Sequence, residues 1–210
     1  HISLAFLNPG DKVLIPNPGY PTYLSVTKLV EADPVFYNLN EKNDWFPNIS
    51  DLEKLDLSKV KLMWINYPHM PSGSTTTMEK LEKLITFTKK HKIMLINDNP
   101  YSFILNSELL SLMGCKESFD NCLELNSLSK SFNLAGWRVG MLIGSEKHIS
   151  SVMKIKSNVD SGMFYGIQKG AIEALNLDKS WFEYINKIYS ERRKLVWKLA
   201  ELMKCEFSKK

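Results

Sequence analysis

The sequence predicts an α/β fold in which helices cover both faces of a mostly parallel sheet. Short apolar runs alternate with amphipathic stretches over most of the 210 residues, and this alternation is typical of βαβ units. Residues 93–96 are continuously apolar, as expected for a strand that is buried on both faces. Residues 78–91 carry apolar side chains at helical spacing. We therefore expect a three-layer α/β/α sandwich.

The individual elements follow from the same patterns. Strands are predicted over residues 12–16, 35–37, 60–65, 93–96, 122–125 and 139–143, and helices over residues 23–32, 78–91 and 181–207. From about Ser161 onward the pattern is helical only. We predict a large domain over residues 1–178 and, over residues 179–210, a long helix that starts a truncated second domain. We expect both ends to be cut. His1 is neither a methionine start nor part of a signal peptide, and residues 207–210 follow a helical pattern without a stop signal.

Composition excludes several classes of partner. The net charge of +4 is mild and the lysines are scattered, so no basic stripe for nucleic acid is expected. No apolar run approaches the roughly 18–20 residues of a membrane span. The three cysteines and four histidines are too dispersed for a metal site. Sparse, odd cysteine usage suits a reducing compartment, and we predict a cytoplasmic protein.

The segment over residues 127–140 concentrates reactive side chains between two predicted strands. It carries Ser127, Ser129, Lys130 and Arg138. Hydroxyls and a guanidinium suit a phosphate dianion, because arginine is permanently charged and binds two oxygens at once. A lysine among them can form a Schiff base with an aldehyde. Taken alone, the segment is equally consistent with a loop that carries a surface lysine.

Other polar residues also follow predicted strands, where ligands bind in parallel sheets. Asp98 ends one apolar strand and Tyr101 comes three residues later. A carboxylate at such a point needs a cationic or hydrogen-bonding partner, although an aspartate beside a proline also caps turns. Tyr20 follows the first strand, and residues 67–73 follow the third. Each loop is weak support by itself.

Together the four segments resemble, in order and spacing, the fold type I pyridoxal-phosphate-dependent aminotransferases, in the branch with the aspartate, alanine and LL-diaminopimelate enzymes. The resemblance implies that residues 1–178 bind pyridoxal phosphate and that Lys130 carries it. Arg138 would pair with its phosphate, and Asp98 would keep its ring nitrogen protonated. The further roles that the resemblance implies are hydroxyl contacts to the phosphate from Ser127 and Ser129, donation to the ring oxygen by Tyr101 and stacking over the ring by Tyr20.

The same resemblance implies a reaction and its partners. An amino group would move between an amino acid and a 2-oxo acid, with Lys130 as the general base. The intact protein is expected to be a homodimer. Family members bind phosphate through a further turn that would precede His1, and the substrate carboxylate through an arginine that would follow Lys210.

One position departs from the family pattern. Met70 stands in Met70–Pro71–Ser72–Gly73 where these enzymes usually have asparagine, and a thioether is at most a weak acceptor. A lyase or synthase of the same fold and a non-catalytic aminotransferase-like module remain as alternatives. A plain nucleotide-binding α/β domain is disfavoured because neither G-x-G-x-x-G nor a P-loop is present.

Overall fold

The computed structural model describes residues 1–209, which form one sheet with helices on both sides. The strands are β1 (Lys12–Asn17), β2 (Asp33–Asn38), β3 (Val60–Ile65), β4 (Met94–Asn99), β5 (Cys122–Ser127) and β6 (Gly140–Gly144). The helices are α1 (Ile2–Phe6), α2 (Thr22–Leu29), α3 (Ile49–Leu52), α4 (Met78–Lys90), α5 (Leu128–Ser131), α6 (Glu146–Val159), α7 (Tyr165–Leu175) and α8 (Lys179–Leu202).

The sheet has the order β2-β1-β3-β4-β5-β6. Every neighbouring pair from β2 to β5 is parallel, and only β6 runs antiparallel to its neighbour β5. This confirms the predicted mostly parallel sheet. The strand order reverses between β1 and β3, and in open α/β sheets ligands bind at the carboxyl ends of the strands near such a point.

Two apolar clusters lie on opposite faces of the sheet. On one face, α4 packs Leu84 and Ile85 against strand residues such as Met63 and Leu95. On the other face, α1, α2 and α6 pack against the alternate strand residues, among them Leu62 and Ile96. Each fully buried leucine or isoleucine stabilises the fold by roughly 1.5–3 kcal/mol. The three-layer sandwich predicted from the sequence is therefore the observed architecture.

The long C-terminal helix differs from its prediction at both ends. It begins after Asp178, whose side chain accepts a hydrogen bond from Ser180 N at 2.8 Å. It ends at Leu202, because Lys204 adopts a left-handed conformation (φ 54°) and the Cys205 N–H bonds back to the carbonyl of Ala200. The left-handed residue and this hydrogen bond are the features of a Schellman motif. The sequence has lysine rather than glycine at that position, so the sequence carries no signal for the end of the helix there.

The first half of α8 packs against the loop after β4 and against α5. The indole of Trp181 donates to the carbonyl oxygen of Ser131 at 2.9 Å, and Phe182 stacks on Phe103 with ring centroids 4.7 Å apart.

Helix α6 had no counterpart among the predicted elements. In the part of the chain that the structure describes, no helix combines the length and the apolarity that a membrane crossing requires.

Candidate active site

Asp98 lies near the carboxyl end of β4, and its side chain is paired with a tyrosine from α2. The hydroxyl of Tyr23 donates to Asp98 Oδ2 at 2.9 Å. The Tyr23 ring is fixed in turn by stacking on Trp64 of β3, with centroids 5.0 Å apart and an interplanar angle of 10°. Among residues 1–209, only Tyr23 donates a hydrogen bond to this carboxylate, so Oδ1 is left available.

Burial dominates the electrostatics of this pair. It raises the pKa of Asp98 above its usual range, and the hydrogen bond from Tyr23 opposes that shift only in part. The pKa of Tyr23 is raised as well, first by burial and then by the negative charge of Asp98. Tyr23 therefore stays a neutral donor. The site holds a carboxylate whose one partner within the described chain carries no positive charge.

Two further tyrosines lie beside this pair. Tyr20 packs edge-on against Tyr23, with centroids 5.7 Å apart, and remains 44% exposed. It sits on a tight turn, since a Cβ on Gly19 would lie 2.6 Å from the carbonyl oxygen of Pro16. The pKa of Tyr101 is raised first by burial, then by the negative charge of Asp98 and by the neighbouring phenol of Tyr20. The structure thus places Tyr20, Asp98 and Tyr101 close to one another.

The lysine segment begins where β5 ends. Ser127 is the N-cap of α5, and its Oγ accepts from Ser129 N at 3.1 Å. Lys130 is exposed on this single turn. The next residue, Ser131, is buried and its hydroxyl donates to the carbonyl oxygen of Pro100 at 3.4 Å. This bond ties the turn that carries Lys130 to the loop between Asp98 and Tyr101.

Arg138 lies at the same end of the sheet as Ser127. In the antiparallel β5–β6 pair Ser127 is opposite Gly140, and Leu128 N donates to the carbonyl oxygen of Val139 at 3.2 Å. The exposed Arg138 guanidinium donates to the carbonyl oxygen of Ala135 at 2.8 Å through Nη1. Its remaining donors and the two serine hydroxyls form a donor set suited to a phosphate.

Sequence reasoning missed two side chains that organise this site. Tyr23 was placed at the start of the predicted helix over residues 23–32 and was given no role in the site, and nothing in its spacing indicated that it would reach Asp98. Asn66 ties the loop after β3 to the end of β4, because its Nδ2 donates to the carbonyl oxygen of Asp98 at 2.5 Å and its Oδ1 accepts from Met70 N at 2.8 Å. An asparagine directly after the apolar β3 was the one available signal for Asn66.

A cavity of about 730 Å³ opens beside these loops. The residues that line it include Met70, Lys80, Tyr101, Arg193 and Trp197. The volume is ample for an amino acid side chain. Residues 1–209 contain no cluster of three or more histidine, cysteine, aspartate or glutamate side chains that could hold a metal ion.

Residues 1–208 match the family model described as "Aminotransferase class I and II". The chain belongs to the class I and II aminotransferases. Members of this family depend on pyridoxal phosphate. Family membership disfavours the plain nucleotide-binding domain.

Two curated relatives of this aminotransferase chain are LL-diaminopimelate aminotransferases. The protein from Natranaerobius thermophilus is 40% identical over 206 residues, which are 96% of this chain and 53% of the relative. The protein from Aquifex aeolicus is 36% identical over 206 residues, which are 96% of this chain and 52% of the relative. BacF from Bacillus subtilis superposes with a TM-score of 0.90 at 37% identity, over 95% of this chain and 51% of BacF. The chain spans about half the length of the curated relatives it matches.

Proposed function

We propose that this protein moves an amino group between an amino acid and a 2-oxo acid, with pyridoxal phosphate held on Lys130. The observation that carries the proposal is the state of Asp98. Its carboxylate is largely buried at the end of β4, has a neutral phenol as its hydrogen-bond partner and keeps one oxygen available. A protonated ring nitrogen supplies the cation and the N–H donor that such a carboxylate needs.

The other residues fit the same cofactor. Lys130 is exposed on the turn that follows β5, so its amine is accessible to an aldehyde. Arg138 and the hydroxyls of Ser127 and Ser129 supply charged and neutral donors for a phosphate at the same end. Tyr20 offers a half-exposed aromatic face beside Asp98 for an aromatic ring. The donor set thus matches a molecule with a phosphate, an aldehyde and a basic ring nitrogen.

When bound, the cofactor supplies an electron sink for the bond that breaks at the substrate α-carbon. In the proposed reaction the Lys130 amine takes the proton from that carbon and returns it later in the cycle. Asp98 would keep the ring nitrogen protonated, and Tyr101 would donate a hydrogen bond towards the ring oxygen. Arg138, Ser127 and Ser129 would hold the phosphate, and Tyr20 would pack against the ring.

Substrate and assembly extend the proposal. The two relatives named above are LL-diaminopimelate aminotransferases, and this supports a diamino dicarboxylic acid as the first amino donor to test. We also propose a homodimer for the intact protein. Phe164 and Tyr165 support it, since they are 74% and 67% exposed, and large aromatic side chains are enriched at interfaces.

The direct test is to add pyridoxal phosphate to the purified full-length protein, reduce with borohydride and map the modified peptide. We expect a visible absorbance band before reduction and one phosphopyridoxyl group on Lys130 afterwards. A reproducible adduct on another lysine, with Lys130 unmodified, contradicts the proposal.

A second prediction concerns Met70, which lines the same cavity as Tyr101. Because its thioether cannot donate a hydrogen bond towards the ring oxygen, we expect the protonated form of the lysine-bound cofactor to persist to higher pH than in Met70→Asn. A spectral pH titration of both proteins measures this difference, and Met113→Leu, a change at a half-buried core methionine, serves as the control. Identical midpoints for the parent and Met70→Asn would show that position 70 has no such role.

A further inference from the structure

Glu124, at the centre of β5, is a buried carboxylate that the proposed reaction does not use. Its side chain is 1% exposed, and within residues 1–209 no lysine, arginine or histidine pairs with it. Five groups donate to it instead. Oε1 accepts from Ser111 Oγ at 2.8 Å, Asn126 Nδ2 at 3.1 Å and Asn99 Nδ2 at 3.4 Å, and Oε2 accepts from Leu112 N at 2.6 Å and Asn97 Nδ2 at 3.1 Å.

Such a carboxylate is costly unless its donors satisfy it, and its neutral donors must then be held in place. Four of the five donors are amide N–H groups, which donate only. The hydrogen bonds therefore fix the orientation of the donor groups as well as that of the carboxylate. Two of the donors matter directly for the site, because Asn97 and Asn99 are the chain neighbours of Asp98.

Asn97 and Asn99 are the residues on either side of Asp98. Neighbouring side chains on a strand point to opposite faces, so both asparagines face Glu124 while Asp98 faces Tyr23. Each asparagine also accepts a hydrogen bond at its side-chain oxygen, which fixes a further group in place. Asn97 Oδ1 accepts from Tyr67 N at 3.0 Å, and Asn99 Oδ1 accepts from the Ser102 hydroxyl at 2.6 Å.

The loop after β4 is tied to the same carboxylate at both ends. Ser102, next to Tyr101, is bound through Asn99, and Ser111 and Leu112 bind Glu124 directly. The cavity is lined by this loop through Tyr101 and residues 104–106. A single buried acceptor thus fixes the strand under Asp98 and the loop that carries Tyr101.

We propose that Glu124 is a positioning residue that sets the placement of Asp98 and Tyr101 for the cofactor, an inference that rests on the proposed function. Glu124→Gln keeps the volume of the side chain but turns one oxygen into an amide that faces other donors. Two or three of the five hydrogen bonds to residue 124 are then lost, and the backbone around Asp98 is held less firmly.

The test measures the full-length protein by pyridoxal phosphate affinity, by the pH midpoint of the bound cofactor's visible absorbance and by Tm. For Glu124→Gln we expect the Kd for pyridoxal phosphate to rise about tenfold and the midpoint to move by about half a pH unit or more. Ser111→Ala removes one donor and leaves four, so its changes should have the same direction and be smaller. Glu183→Gln, an exposed change of the same kind on α8, should match the parent.

A purely structural role lowers the Tm and leaves the affinity and the midpoint unchanged, and this result in Glu124→Gln overturns the inference. If that variant does not fold, Ser111→Ala decides, and parent-like affinity and midpoint there overturn it equally. The parent is mapped first. A parent without an adduct on Lys130 overturns the proposed function together with this inference, whereas an adduct in the parent with unchanged variants overturns this inference alone.

Discussion

Lys130→Ala should abolish amino transfer while the protein still binds pyridoxal phosphate without a covalent bond. The lysine would supply both the amine that holds the cofactor and the base that moves the proton at the substrate α-carbon. Loss of a positioned base alone costs on the order of a hundredfold to ten-thousandfold in rate. Binding should persist because Arg138, the two serines and Asp98 remain. The measurement is steady-state turnover with an amino acid and a 2-oxo acid, together with equilibrium dialysis of the cofactor.

The matched control is Lys154→Ala, which removes another exposed lysine from the middle of α6. It should retain parent-like turnover and the parent's adduct on Lys130. Turnover of the Lys130→Ala variant near the parent's would refute the assignment. Turnover of that variant restored by added small amines would strengthen it, because an external base would then replace the missing one.

Asp98→Asn should have two effects of opposite sign. Amino transfer should fall by about a thousandfold, equivalent to roughly 4 kcal/mol of barrier, because an amide cannot keep the ring nitrogen protonated. The cofactor-free protein should become more stable at neutral pH, because the variant removes a buried charge whose partner, Tyr23, is neutral. We expect a rise in Tm of roughly 2–4 °C, as about 1 kcal/mol produces in a domain of this size.

The stability effect has a defined dependence on pH. Burial raises the pKa of Asp98 from its usual 3.8 in the folded protein, so the folded state holds this proton more tightly than the unfolded chain. The stability that Asp98 contributes is therefore fully present below the unfolded pKa and is lost as pH rises through the folded pKa. The Tm difference between Asp98→Asn and the parent should accordingly be small near pH 4 and larger at pH 7.

Thermal melts of both proteins without cofactor across that range measure the difference. Asp51→Asn removes the same charge from an exposed position and should change the Tm by clearly less, since exposed ion pairs between neighbouring turns contribute only about 0.3–0.5 kcal/mol. An Asp98→Asn variant less stable than the parent at pH 7 would show that the carboxylate is not a net cost to the fold. An undiminished rate of amino transfer would remove Asp98 from the mechanism.

The parts of the fold that the sequence predicted well are those whose pattern is local. Strand β3 has the predicted bounds, and α4 differs from its prediction by one residue. Both could be predicted because apolar periodicity is visible within about a dozen consecutive positions. The end of α8 was missed, because a lysine holds the left-handed position that glycine usually marks. That α8 starts a second domain stays a prediction, as does the cytoplasmic location.

The sequence by itself determined the fold class, the family resemblance and the candidate residues from Tyr20 to Arg138, because each depends on residue type and on spacing within one segment. Only the tertiary structure decided which side chains meet. Tyr23 and Asp98 are 75 positions apart, and Glu124 faces Asn97 because β5 pairs with β4 in one register. Such contacts depend on strand order and on burial. These properties of the whole sheet determine the partners of a buried carboxylate.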